Sequence, residues 1–188
     1  MIEIIPIVRF SSMKYLLLYS SRFGQTYKIA QKLKEQWERN SQDVTMLDLN
    51  DAAKINPKEY DKVIIGASIR YGHYSPRLYW WTQKNEQILN NMPTAFFSVS
   101  ILATKPNRNT PESHTYTRKF FDRSFWHPQI KAIFAGELDY TKYNIIDRYL
   151  MKMVMGMNKG ETDFNNKIEF TNWQEVKKFG EEVLLLMN

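Results

Sequence analysis

The chain has 188 residues, 43% of them hydrophobic and 24% charged, enough for one well-buried domain and too few for two. It contains no cysteine, which excludes disulfides, thiolate metal sites and thiol redox chemistry and suits a reducing compartment. The formal net charge of +6 favours acidic partners, yet no recognition motif accompanies it, so nucleic acid is not expected.

The first twelve residues carry a short apolar cluster, Ile4-Ile5-Pro6-Ile7-Val8, broken by proline and preceded by Glu3. They lack the basic start and small-residue cleavage site of a secretion signal. Residues 1–12 therefore read as an upstream extension, with residues 13–188 as a single domain that begins at Met13. No stretch approaches the ~18–20 apolar residues of a membrane span. His73, His114 and His127 are too scattered to suggest a metal site, and none is expected.

The first strand candidate is Tyr15–Tyr19, followed by a helical pattern over Gln25–Arg39 with apolar positions Ile29, Ala30, Leu33 and Trp37. Between them lies Ser20-Ser21-Arg22-Phe23-Gly24-Gln25-Thr26. A buried strand that ends in hydroxyls and a glycine and then opens a helix can hold a phosphate. The helix start offers unpaired N–H groups and a positive dipole end, and Gly24 permits positive φ. The spacing lacks the G-x-x-x-x-G-K-[ST] of triphosphate loops and the G-x-G-x-x-G of dinucleotide folds.

Further strand candidates are Val44–Leu47, Lys62–Ala67, Ala95–Val99 and Ala132–Ala135. Helical stripes fall at Pro76–Asn90, Glu112–Phe121 and Asn172 to about Met187, where Thr171-x-x-Gln174 reads as a capping box. Strands and helices that alternate in this way predict an α/β fold with a parallel sheet covered on both faces. Ligands of such sheets bind beyond the carboxyl ends of the strands. Two more strand ends should then meet the ligand at Ser20–Thr26. One reads Gly66-Ala67-Ser68-Ile69-Arg70-Tyr71-Gly72-His73-Tyr74, and the other Ser98-Val99-Ser100-Ile101-Leu102-Ala103-Thr104. Tyr71 or Tyr74 could stack on a flat ring, and Arg70 could meet an anion.

The Ser20–Thr26 loop resembles the phosphate loop of the flavodoxins, which binds the single phosphate of FMN. Phe23 departs from the small or acidic residue usual there, a departure the loop tolerates because a side chain at that position can point outward while the backbone binds phosphate. Four runs extend the likeness: Ile65–Tyr74, Lys105-Pro106, Arg118-Lys119-Phe120 and Gly160-Glu161-Thr162-Asp163. Together they resemble the quinone-dependent protoporphyrinogen IX dehydrogenases, a long-chain flavodoxin-like family of bacterial haem synthesis. The likeness runs from Met13 almost to the C-terminus.

That resemblance implies a doubly wound five-stranded parallel sheet whose fifth strand is interrupted by an insertion, here about Asp139 to Lys159. It implies FMN as cofactor, held by Ser20, Ser21, Arg22, Phe23, Gly24, Gln25, Thr26, Ser68, Ile69, Arg70, Tyr71, Gly72, Ser98, Val99 and Ser100. It implies protoporphyrinogen IX as substrate, menaquinone or ubiquinone as acceptor, and a peripheral place at the cytoplasmic face of the inner membrane. Arg70, Lys105, Arg118, Lys119 and Arg123 are candidate partners for the substrate propionates. Arg70 and His73 are the candidate catalytic groups, His73 because it titrates near neutrality.

Two alternatives share the fold: an electron-carrier flavodoxin and an NAD(P)H-dependent quinone reductase. Carrier flavodoxins tend to be acidic, so the basic charge and the insertion disfavour the first. Within the insertion, Ile145, Ile146, Tyr149, Leu150, Met153, Val154 and Met157 share one half of a helix, while Met151 and Met155 join basic residues on the other. A helix that lies on a membrane surface or lines an apolar substrate cleft and a core-packed helix fit that pattern equally.

Overall fold

The computed structural model describes residues 12–139, 141 and 167–187. The upstream residues 1–11 and the insertion helix expected over residues 144–157 lie outside the described residues.

Five parallel strands form one sheet in the order β2-β1-β3-β4-β5. They are β1 (Lys14–Ser20), β2 (Asp43–Asp48), β3 (Lys62–Ser68), β4 (Thr94–Val99) and β5 (Ile130–Phe134). All five expected strands are present, each within about two residues of its expected ends. β3 and β4 are buried almost throughout, which is why they read as continuous apolar runs.

Side-chain alternation along β1 divides the core. Tyr15 and Leu17 face α1 (Gln25–Arg39) and the C-terminal helix α5 (Trp173–Leu185), meeting Ile29, Leu33, Trp37, Phe179 and Val183. Leu16 and Leu18 face the opposite layer, α2 (Pro76–Lys84), α3 (Glu86–Leu89) and α4 (Thr115–Ser124), with Leu78, Trp81, Phe120 and Trp126. Gly66 in β3 admits the Phe97 ring of β4, since a Cβ there would lie 2.0 Å from its tip.

Three helix ends differ from the sequence pattern, each for a local reason. The stripe Pro76–Asn90 breaks at Asn85, whose side-chain amide donates to Trp81 O at 2.9 Å and competes with the helix ladder. The fourth helix starts at Thr115 rather than Glu112, because Thr110 and Ser113 bind each other's hydroxyl and backbone groups in a closed turn. The cap of α5 is Asn172, which accepts from the Gln174 and Glu175 N–H groups. Thr171, expected in that role, instead donates to Ala135 O and accepts from Gln25 Nε2.

Beyond β5 the chain leaves the sheet. A short strand β6 (Glu137–Asp139) pairs antiparallel with β7 (Lys167–Glu169), so the two ends of the expected insertion are joined at its base.

Candidate functional site

A cavity of about 380 Å³ opens at the carboxyl ends of β1, β3 and β4. It falls within the ~300–1,000 Å³ of small-ligand pockets and lies where a sheet of this topology gathers its ligand.

One wall is the loop between β1 and α1. Ser21, Arg22, Phe23, Gln25 and Thr26 line it. Gly24 stands at φ +97° and turns the chain into α1, while its N–H donates to Ser21 Oγ at 3.2 Å. No side chain caps α1 and its first turn holds no acid, so the first-turn N–H groups and the dipole are left for a ligand. Thr26 Oγ1 and Gln25 Oε1 are buried without a hydrogen-bond partner among the described residues. Buried polar atoms of this kind need a partner, and an anion with attached hydroxyls would supply one. The donor set therefore fits the phosphate end of FMN.

Gln25 is held from behind. Its amide donates to Glu169 Oε1 at 2.9 Å and Thr171 Oγ1 at 2.8 Å, and Lys28 pairs with Glu169 at 2.8 Å. Burial pushes the Glu169 carboxyl upward, but the hydrogen bonds from Lys28 and Gln25 outweigh it and hold the group below its usual value. The phosphate-type loop is thereby fastened to β7, more than 140 residues away.

The second wall follows β3. Ser68, Ile69, Arg70, Tyr71 and Gly72 line the cavity. Arg70 and His73 exchange both backbone hydrogen bonds at 2.9 Å around Tyr71-Gly72, whose φ values are +50° and +79°. Two positive φ angles are what a type I′ turn requires, and tyrosine adopts one only at a cost. The Arg70 guanidinium lies 4.5 Å from the Tyr71 ring centroid and donates to its hydroxyl at 2.9 Å. The tip rests on Tyr116, which a Cβ at Gly72 would meet at 2.8 Å.

Val99 and Ser100 line the third wall, with Ile101 and Leu102 from the turn that follows. Tyr116, Gly136 and Glu137 complete the lining. Ile101 and Leu102 belong to the strand end expected to face the ligand, whereas the last three carried no local signal. Gly136 and Glu137 could have been found from the rule that every parallel strand end faces the ligand. Tyr116 arrives only through the packing of α4 against the Tyr71-Gly72 tip. Glu137 is largely buried and pairs with Lys167 at 2.8 Å.

Several expected site residues lie elsewhere. Ser20 and Gly24 shape the first loop without lining the cavity, and Ser98 is buried beneath it. Phe23, by contrast, is half-buried and lines the wall. Tyr74 cannot stack on a ligand ring. It is 3% exposed, bonded to Ser98 and Thr117, and packed edge-on against Phe96 and Phe120. Of the two tyrosines expected to stack, that leaves Tyr71, 51% exposed at the mouth. His73 is exposed and outside the lining, since the hairpin bridge turns it away. Arg118, Lys119 and Arg123 lie on the solvent side of α4, and Lys105 is also off the cavity wall. Among the described residues no three His, Asp or Glu cluster as a metal site would need, and no helix is long and apolar enough to cross a membrane.

The flavodoxin-domain family matches residues 16–165. Protoporphyrinogen IX dehydrogenase (quinone) of Escherichia coli strain K12 is 39% identical over 171 residues, covering 91% of this chain and 94% of its own. The protein of the same name from Leishmania major is 38% identical over 176 residues, covering 93% and 76%. Among solved structures, flavodoxin 1 from Bacillus cereus superposes with a TM-score of 0.55 at 12% identity over 93% of this chain and 99% of its own. A flavodoxin from the domain Archaea gives 0.51 at 15% identity, over 92% and 97%. At those identities the structures speak for the fold alone. The carboxyl-end cavity, the uncapped glycine turn and the sequence identity over nearly the whole chain agree: this chain belongs to the flavodoxin-domain family, in its group of protoporphyrinogen IX dehydrogenases (quinone).

Proposed function

We propose that this protein is an FMN-dependent oxidoreductase that oxidises protoporphyrinogen IX to protoporphyrin IX and passes the electrons to a membrane quinone. The observation that carries this reading is the 39% identity, spread over 91% of the chain, to a relative named for that activity. The cavity supports it with a phosphate-type loop at one end and apolar walls beside an aromatic ring at the other.

Bound FMN would accept electrons in pairs from the porphyrinogen and return them to the quinone. The chain's own part is binding, orientation and exclusion of water. Ser21, Thr26 and the first-turn N–H groups of α1 would hold the phosphate, with Arg22 beside them. Ile69, Val99, Ile101 and Leu102 form dry walls for a flat ring, and Tyr71 offers its face at the mouth. The Arg70 guanidinium, already stacked on Tyr71, adds a fixed positive charge that favours an anionic reduced ring or a substrate carboxylate. No side chain of the lining is assigned as a base.

The acceptor is menaquinone or ubiquinone, met at an anionic membrane surface on the cytoplasmic face of the inner membrane. Charge distribution supports the surface contact. On α1 and α5 the lysines are matched, as in Lys34–Glu38, Lys177–Glu181 and Lys178–Glu182. On α2 and α4, Arg77, Lys84, Arg118, Lys119 and Arg123 stand against Asp122 alone, and none forms an ion pair among the described residues. Binding to anionic vesicles that weakens steeply with salt would support this face as the contact. Equal binding to neutral vesicles would refute it.

The deciding experiment is anaerobic mixing of the FMN-loaded protein with protoporphyrinogen IX or with NADH. Bleaching of the flavin by the porphyrinogen, with porphyrin fluorescence appearing and quinone restoring the colour, is the expected result. Bleaching by NADH alone would make the protein a quinone reductase, and bleaching by neither would make it an electron carrier.

A further inference from the structure

A buried chain of hydrogen bonds leads from the cavity wall into the protein. Ser100 lines the cavity, and its Oγ lies 3.2 Å from His114 Nε2. His114 Nδ1 is 3.0 Å from Thr117 Oγ1, which is 2.7 Å from the Tyr74 hydroxyl. Tyr74 in turn donates to Ser98 Oγ at 2.7 Å. His114 is 1% exposed, and Thr117 and Ser98 are sealed from solvent. The binding steps described above make no use of this histidine.

Counting protons sets the direction of every link. Tyr74 has one proton and gives it to Ser98, so Thr117 must donate to Tyr74. The Thr117 oxygen then accepts from His114, which places the proton of the neutral imidazole on Nδ1. Nε2 is therefore bare and accepts from the Ser100 hydroxyl. The Ser100 oxygen also accepts from Leu102 N–H at 3.3 Å, which leaves one lone pair free on a residue that lines the cavity. Protonation of His114 reverses the last link. An Nε2–H can only donate, so the Ser100 proton must swing into the cavity and the wall becomes a donor.

The surroundings favour the neutral form. Burial pushes the His114 imidazole below its ordinary value of 6.5, and the Arg108 charge adds to the effect. The charged or titratable groups that face it are Arg108 from the preceding turn, Tyr74 from the loop after β3, and Tyr116 on its own helix with ring centroids 5.8 Å apart.

We propose that His114 is a positioning residue for the ring-binding wall: its bare Nε2 fixes the Ser100 proton inward, so that the cavity presents an acceptor to an N–H group on the polar edge of the bound flavin. This rests on the reading that the cavity holds FMN. In acid the wall and the ring edge then carry mismatched donors.

The test measures dissociation constants of FMN and riboflavin between pH 8 and pH 5 for the parent, His114→Gln and Ser100→Ala. Riboflavin is included because the FMN phosphate itself titrates near pH 6. The parent is expected to lose roughly 2- to 12-fold more affinity than either variant for both flavins, in a step below pH 6.5, as one neutral hydrogen bond is lost. Ser100→Ala should be weaker at pH 8 by a similar factor and show no step. Parent and variants following the same pH curve would overturn the proposal. So would a step that survives in Ser100→Ala, because the imidazolium charge would then act without the hydroxyl. If His114→Gln does not fold, the comparison of parent with Ser100→Ala still decides. Absence of flavin binding at every pH would remove the flavin reading itself, a result distinct from flavin bound without the step.

Discussion

At the scale of single residues, the first loop gives the sharpest expectation. Thr26 Oγ1 is buried and without a partner among the described residues, so its hydroxyl is available to an anion. Thr26→Val should weaken FMN by about 1–3 kcal/mol and leave riboflavin nearly unchanged, as read by flavin fluorescence titration. An equal loss for both flavins would place the phosphate elsewhere. Tyr71 sets stability against binding. Its φ of +50° is a conformation that asparagine tolerates better than tyrosine, and its ring is half exposed at the mouth. Tyr71→Asn should raise stability by roughly 1 kcal/mol in urea unfolding while weakening FMN. Tighter FMN binding by that variant would show that the ring does not stack on the flavin.

At the scale of elements, two glycines set how closely their neighbours approach. Gly180 lets α5 lie against α1: Trp37 Nε1 donates to its carbonyl at 2.9 Å, and a Cβ there would meet the Gln36 side chain at 2.3 Å. The Gln36 end is flexible and can move aside. Gly66 is different, because the atom in its way belongs to Phe97, a fully buried ring locked among Phe134 and Phe179. Gly66→Ala should therefore destabilise by about 1–3 kcal/mol, and Gly180→Ala by less, in equilibrium unfolding. The reverse order would mean that the sheet yields more readily than the helix pair. Replacing the cap residue Asn172 by alanine should cost about 1 kcal/mol.

At the scale of the whole molecule, a buried lysine links the sheet to the C-terminal helix. Lys62 is 1% exposed, donates to Val183 O at 2.8 Å and Leu184 O at 3.1 Å, and stands 5.0 Å from the Tyr15 ring centroid. Burial pushes its ammonium down from 10.5 to about 8, although Asp61 opposes the shift. An unfolded lysine stays protonated to about 10.5, so between pH 8 and that value the unfolded chain holds the extra proton. Stability then rises with pH through this window, by at most about 1.4 kcal/mol per pH unit, and the penalty is complete below pH 8. Burial also pushes Tyr15 up to about 12, and a phenol raised in this way loses its contribution as pH climbs from 10 to that value. The rise should thus be seen from pH 8 to 10 in urea unfolding of the parent and be absent in Lys62→Met. A variant that keeps the rise would exclude Lys62 as its source.

What the sequence by itself determined is what short-range chemistry encodes. The central strands β3 and β4 show as apolar runs because they are buried on both faces, and α1 shows its full length because its stripe of Ile29, Ala30, Leu33 and Trp37 repeats at helical spacing. Gly24 was legible as a turn because only a residue without Cβ adopts its φ cheaply. The strand ends after β1, β3 and β4 were legible as neighbours in the cavity because strand order brings them together. Only the tertiary structure decided which side chains at those ends face the ligand. Tyr71 and Tyr74 are three residues apart and alike in sequence, yet Ser98 and Thr117 draw one inward while a two-residue turn holds the other at the mouth. The Ser100–His114 pair, the Gln25–Thr171 contact and the burial of Lys62 beneath Val183 likewise join residues 14 to 146 positions apart. Such contacts depend on strand register and on helices packed across the sheet, and neither leaves a periodic trace in the chain.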